Sequence, residues 1–425
     1  MWATAEAMIY YLTGNMSEAL SVSERSLQMP GTDRIKSNSR CVNILIKSSD
    51  AMCDHNWLTD ELCWLESEIA EETPEGYCFS NAYDRILMQT LNPLYASTDR
   101  TNLSLAVAGL YNEFLMSKNS YHYRYFNHDD SDFSPSWNDD YDNEYMHKYI
   151  YPLSASDCSS YYTYLTSTHQ DILESHICSR VYKDSNFFND LIGTKYISEC
   201  KFSEAIPYLR KVDLSYLSLM NVSDYMYKRN FDIECWLKSQ RSEEDIEGIS
   251  EHKFIHNPKL DYCNSMLDLE SQYKQSEKLT SRSQLAYQLA CQYYQGSYLG
   301  DCWWLTSYSK SQNPERFYYF QNTDFIDKTK SYLTYCSSNA DEVIKSKSVY
   351  ALAYIPIDPW ADYETDYDEN GKMWTTYTNI HPQSAQYNYL TLLDSYYDSH
   401  KDNLPDYISK CDVLKQFRIM KWYSE

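Results

Sequence analysis

The chain has 425 residues, 43% of them hydrophobic, with 44 Tyr but 9 Gly and 12 Pro, and a formal net charge of −24. Such a charge repels nucleic acid and anionic membrane surfaces. So few glycines argue against an α/β enzyme with Gly-rich phosphate loops and against an all-β protein with many tight turns, which leaves helix.

The first segment, 1–117, reads as helical hairpins. Ala7 and Tyr10 sit on a first helix, Gly14-Asn15 in a turn, Ser17 as N-cap and Ala19 on a second helix that stops at Pro30-Gly31. Apolar stripes at helical spacing follow: Val42, Leu45 and Ile46, then Leu58, Leu62 and Leu65, then Leu103, Val107 and Leu110. Residues 118–155 break this periodicity with Asp and Asn clusters interleaved with rings such as Trp137 and Tyr141. A long loop rich in aromatics and carboxylates suits sugar rings or a basic peptide, although rings packed against the scaffold are the blander expectation.

Helices resume near Ser156 and fill 156–241. Within them Phe188, Leu191, Ile192 and Tyr196 share one helix face, and Ala205, Leu209 and Val212 share another after a short break. Small residues, Gly193 and Ala205, stand where two helices approach, and Ser203 as N-cap would put Pro207 within the first turn. Aligned on the turns, Ala7, Tyr10 and Ala19 match Gly193, Tyr196 and Ala205. This pattern resembles the tetratricopeptide repeat, a helix-turn-helix unit of about 34 residues that stacks into a solenoid. The resemblance implies an all-α fold, a right-handed α-solenoid of degenerate hairpins carrying two acidic, aromatic-rich inserts.

Residues 242–257 read as a polar connection and 258–425 as C-terminal helical repeats. Leu285, Ala286, Leu289, Ala290 and Tyr293 form a helical stripe that ends at Gly296 and Gly300 and is followed by Trp303-Trp304. Adjacent helical positions point about 100° apart, so one tryptophan is expected in the core, while the other lines a concave surface or, the stronger expectation, packs between helices. The run from Ala286 through Tyr308, with the C-terminal stretch from His381 to Phe417, resembles large uncharacterised tetratricopeptide-type proteins of Bacteroidota, a likeness without assigned chemistry.

The second insert, 356–380, holds Trp360 and Trp374 and the spacing Asp366, Asp368, Asn370 before Gly371, as in the first half of a calcium-binding EF-hand loop. The twelfth position, which should be a bidentate acid, is Tyr377, so an Asn-Gly turn is the stronger expectation and no other cofactor is indicated. Thirteen cysteines with no CxxC pair read as buried free thiols rather than a zinc site or disulfide framework. No apolar run is long enough to span a bilayer.

Met1 stands almost inside a helix without a polar cap, which reads as a segment of a longer protein. An export signal on the missing part would make it periplasmic or surface-associated, and otherwise it is cytoplasmic. No HExxH, GxSxG or Walker loop occurs. The expected function is therefore a non-enzymatic scaffold that presents a concave surface to a protein or peptide partner, preferably basic. Its anchors are Trp137, Tyr141, Trp303, Trp304, Trp360 and Trp374. A glycan-binding component of a bacterial surface system and an enzyme with a dispersed site are the alternatives.

Overall fold

The computed structural model describes residues 2–70, 78–118, 145–220, 222–234, 236–237, 253–307, 323–355, 358–367 and 373–424. These residues are overwhelmingly helical, with one two-stranded antiparallel sheet. The chain divides into two compact units, with the boundary inside one helix at Phe188 and Asn189.

The first unit opens on the hairpin α1 (Trp2–Leu12) and α2 (Met16–Leu27). Ala3, Ala7, Ala19 and Val22 are buried together with Ile46, because small side chains let the two helices close on each other. Gly14 has φ +79°, a left-handed turn position that side chains avoid. The N-cap is Asn15 rather than Ser17: the Asn15 side-chain Oδ1 accepts from the Glu18 N–H. Then come α3 (Asp33–Lys47), α4 (His55–Ala70), α5 (Cys78–Asp84), α6 (Asn92–Ser97) and α7 (Thr101–Lys118), with a wide π-type turn over Arg85–Leu91. After residues 119–144, which are outside the described set, the helical order returns earlier than Ser156. Met146–Ile150 is a π-type turn with Met146 and Ile150 buried. It precedes α8 (Ala155–Thr166) and α9 (Ile172–Arg180), and α9 packs on both α4 and α7. Burial of Tyr145, whose hydroxyl lies 2.7 Å from that of Tyr161, explains why the polar insert ends before residue 155.

Most of α10 (Ser185–Ser198) belongs to the second unit, with α11 (Phe202–Leu209), α12 (Leu214–Leu219) and α13 (Ser223–Lys228). The α11 N-cap is Lys201, not Ser203, so Pro207 lies inside the helix, beyond the first turn, where a proline removes an intrahelical hydrogen bond. The close approach expected at Gly193 is present: a Cβ there would lie 2.5 Å from Leu209 Cδ2. Gly193→Ala should therefore lose about 1–3 kcal/mol by overpacking, against about 1 kcal/mol gained in helix propensity. Urea unfolding, or hydrogen exchange of the α10 and α11 amides, reads the net destabilisation.

The C-terminal part runs α14 (Pro258–Gln275), α15 (Leu279–Gly296), α16 (Thr323–Asn339), α17 (Glu342–Tyr354), strands β1 (Ala361–Tyr367) and β2 (Met373–Ile380), then α18 (Ala385–Ser399), α19 (Asp406–Ser409) and α20 (Asp412–Ser424). Consecutive members pack: α14 on α15, α15 on α16, α16 on α17 and α17 on α18. One core joins Ala286, Ala290, Leu333 and Leu352; a second joins Trp360, Leu390, Leu393 and Phe417. Of the described cysteines, Cys41, Cys158, Cys178, Cys263, Cys291, Cys302 and Cys336 are buried. No described helix is long and apolar enough to cross a membrane.

The 356–380 insert departs from the all-helical expectation. Its described parts form a β-hairpin in which Tyr363 faces Tyr377, Thr365 faces Thr375 and Asp366 faces Trp374. Aromatic and β-branched residues on either side of Asn370-Gly371 favour extended backbone, so the strands have a local cause.

Candidate functional site: an aromatic cleft beside the hairpin

The hairpin leans over α17, α18 and the 404–413 segment and encloses a cleft of about 700 Å³ in the second unit. Its sequence places side chains alternately: Thr375 and Tyr377 are half-buried toward the cleft while Thr376 and Thr378 are exposed. Tyr350, Tyr354 and Tyr407 enter from the helical side. Trp360, 1% exposed, is wedged against Tyr377 at 4.9 Å and Phe417 at 5.4 Å between ring centres, which makes it the rigid back of the cleft.

A short hydrogen-bond lattice fixes the hairpin to the helices. Asp358, with φ +54°, accepts from the Ala385 N–H on its carboxylate at 2.6 Å and from the Gln386 N–H on its carbonyl at 3.3 Å. The Gln386 side chain accepts from the Trp360 N–H at 3.2 Å and donates to the Ala353 carbonyl at 3.0 Å. A cleft-lining amide is thus consumed by the scaffold, and Gln386 positions the wall. The left-handed backbone at Asp358, costly for a residue with a Cβ, is held by its two bonds to Ala385 and Gln386.

Two rings remain presented to solvent: Tyr354 is 45% exposed and Tyr363 60%. Tyr350 stacks on Tyr354 at 6.3 Å and meets Tyr407 edge-on at 5.2 Å, so the exposed Tyr354 ring is backed by half-buried ones. Burial pushes the Tyr350 hydroxyl up to about 12 and raises those of Tyr377 and Tyr407. These phenols are therefore neutral donors and acceptors at physiological pH. Tyr407 already shares a 2.8 Å hydrogen bond with Ser346. The charges at the rim largely cancel locally, Lys410 donating to Asp406 at 2.7 Å and Lys415 to Asp412 at 2.9 Å. The cleft thus offers flat apolar faces, neutral hydroxyls and little net field. Cys411 lines it, but burial raises its thiol, so a thiolate nucleophile is disfavoured there.

The sequence-chosen residues fare unevenly. Trp303 and Trp304 form a 3-10 turn with Leu305 and are 3% and 2% exposed, so neither is a surface anchor; both are core because the turn folds them back rather than fanning them around a helix. Trp360 belongs to the cleft as a buried support. Trp374 stands in β2 opposite Asp366. Trp137 and Tyr141 lie outside the described residues, as do Asp368 and Asn370. Asp366 is an exposed strand residue, so the calcium-type spacing is flanked by strands where an EF-hand has helices. Tyr377 fills the cleft instead of supplying the twelfth-position acid. The exposed rings of Tyr354 and Tyr363 escaped sequence reasoning, although the Tyr363, Thr365 alternation ahead of Asn-Gly is a readable hairpin signal. In comparisons with family models, curated proteins and solved structures, the chain matches none.

Proposed function

We propose that this chain is a non-enzymatic binding protein and that the cleft beside the hairpin takes a neutral saccharide. The observation that carries this reading is the pair of exposed rings, Tyr354 and Tyr363, held over a ligand-sized cleft of neutral phenols. Sugar rings present C–H faces that stack on aromatic faces and hydroxyls that pair with phenols, and they bring no charge that the cleft would need to neutralise. The helical body is a scaffold for this surface. The buried Ala7 and Ala19 in α1/α2, and the contact forced by Gly193 in α10/α11, support reading it as degenerate tetratricopeptide-like hairpins of an α-solenoid.

A peptide reading rests on a different observation. Among the described residues β1 and β2 pair with each other alone, which leaves outer edges that an extended peptide could join.

Isothermal titration of the whole chain against a panel of neutral oligosaccharides tests the proposal. The double variant Tyr354→Ala/Tyr363→Ala is expected to bind about tenfold more weakly, about 1.4 kcal/mol, with the fold retained because neither ring belongs to the buried core. Unchanged affinity in that variant removes the cleft as the site. Binding of extended peptides but no saccharide replaces the sugar by the peptide reading.

A further inference from the structure

Helix α1 of the first unit is apolar on two opposite sides. Ala3 and Ala7 face inward, in the cluster with Ala19, Val22 and Ile46. Trp2, Ala5, Ile9 and Leu12, at spacings of three, four and three residues, share the other side and are all exposed. Trp2 is 86% exposed, Ile9 61% and Leu12 75%. A surface helix of a globular protein carries one apolar stripe and a polar outer face, whereas a helix that is apolar all round is covered on both sides. Its hairpin partner α2 obeys the rule: beyond Met16 at its start, the exposed positions are Ser17, Glu18, Ser21, Glu24 and Arg25.

The stripe fits a second copy of itself. When two α1 helices are laid antiparallel about a two-fold axis passing between Ala5 and Ile9, Ala5 opposes Ile9 of the second copy and Trp2 opposes Leu12. Small then meets large in the middle of the seam, and the two largest groups close its ends. No charge meets its like. Glu6 is the sole charged side chain of α1; it opposes Met8 across the axis and is already paired with Arg25 at 3.1 Å. A basic partner would be drawn by carboxylates, and the stripe offers it only this one. The exposed side chains present about 500 Å² of apolar surface per copy, so about 1,000 Å² in a pair, the size at which specific interfaces begin.

We infer that the chain forms a homodimer in which α1 docks antiparallel on α1 of the second copy through Trp2, Ala5, Ile9 and Leu12. The driving force is apolar burial at short range. The opposing force is the repulsion of two chains of net charge −24, which acts at long range. Salt shortens that range from about 30 Å at 0.01 M to about 8 Å at 0.15 M and leaves the apolar contact in place, so added salt tightens the dimer.

Sedimentation velocity of the full chain over a concentration series, at low and at high salt, tests the assignment. A species of twice 50.2 kDa should form, with a dissociation constant several-fold lower at high salt. Ile9→Glu puts an unpaired carboxylate into the seam and should weaken the dimer by at least about a hundredfold. Ala5→Trp leaves no room for the opposing Ile9 and should weaken it by about tenfold. Both positions are exposed, so the circular dichroism of the variant monomers should match that of the wild type. Met52→Glu, at an 88% exposed position elsewhere in the first unit, should leave the dimer unchanged. A chain that stays monomeric throughout overturns the inference. So does a dimer indifferent to Ile9→Glu, because another face then joins the copies. A dimer that loosens with salt overturns it in favour of a contact between oppositely charged surfaces, and tightening by Ala5→Trp overturns the antiparallel register.

Discussion

Replacing Asp190 by alanine is expected to cost the second unit about 3–5 kcal/mol, because it leaves the Lys259 ammonium buried without its counter-charge. Lys259 Nζ donates to Asp190 Oδ2 at 2.7 Å and to Thr194 Oγ1 at 2.8 Å, with side-chain exposures of 2% for Lys259 and 0% for Asp190. This pair ties α10 to the first turn of α14, where the Asn257 side chain accepts from the Lys259 N–H at 3.0 Å and its amide donates to the Leu209 carbonyl at 3.1 Å. One carboxylate oxygen, Asp190 Oδ1, has no partner, so the pair is not ideally solvated by the protein. Removing both charges should therefore be far milder than removing one. Asp190→Leu/Lys259→Met is expected to lie near wild-type stability, as apolar replacements of buried pairs commonly do. Hydrogen exchange of the α10 and α14 amides is the appropriate readout, because it reports the opening of this junction itself. Equal losses in the single and double variants would show that packing, not charge, holds this junction.

The first unit should lose about 3 kcal/mol between pH 4.5 and pH 7 through one residue, Glu113 on α7. Burial pushes its carboxyl from 4.5 up to about 7, opposed by a hydrogen bond from the Tyr182 N–H. The folded chain then holds a proton that the unfolded chain has already released, so stability is highest below the unfolded value and declines as pH rises toward 7. Glu113→Gln keeps the shape and removes the titration. The difference in α7 exchange protection between wild type and Glu113→Gln should therefore change by about 3 kcal/mol across that window and be flat above it. A pH-independent difference would mean that water reaches the carboxyl. Subtracting the variant cancels groups such as Glu66 and Asp171, whose carboxyls are held low and titrate in both proteins.

The hairpin at Phe188–Val212 was legible because its cause is local. Apolar residues at helical spacing bury on one face, and Gly193 opposite Leu209 follows from the closeness of two short helices. The capping assignments at Ser17 and Ser203 missed by two residues each, since Asn15 and Lys201 hold the N-cap positions. Helix ends depend on a few weak bonds that neighbouring polar residues can supply equally well. The tryptophans show the sharper limit. An aromatic residue gains most by burial, and whether Trp303 or Trp304 meets solvent is decided by the backbone turn that precedes and follows it, not by its own identity.

Amino-acid pattern alone determined the helical class, the absence of phosphate-loop and metalloprotease motifs, the small-residue contacts within hairpins and the burial of most, though not all, of the described thiols. These depend on periodicity and composition within a few turns of chain. Tertiary structure decided which rings are surface and which are support, set Tyr354 and Tyr363 on one cleft, and brought Lys259 onto Asp190 and His176 onto Cys63 and Glu66. Each of those sites joins residues from separate elements, up to 113 positions apart in the case of Cys63 and His176. Such contacts are selected by the packing of whole helices, for which a local pattern carries no register.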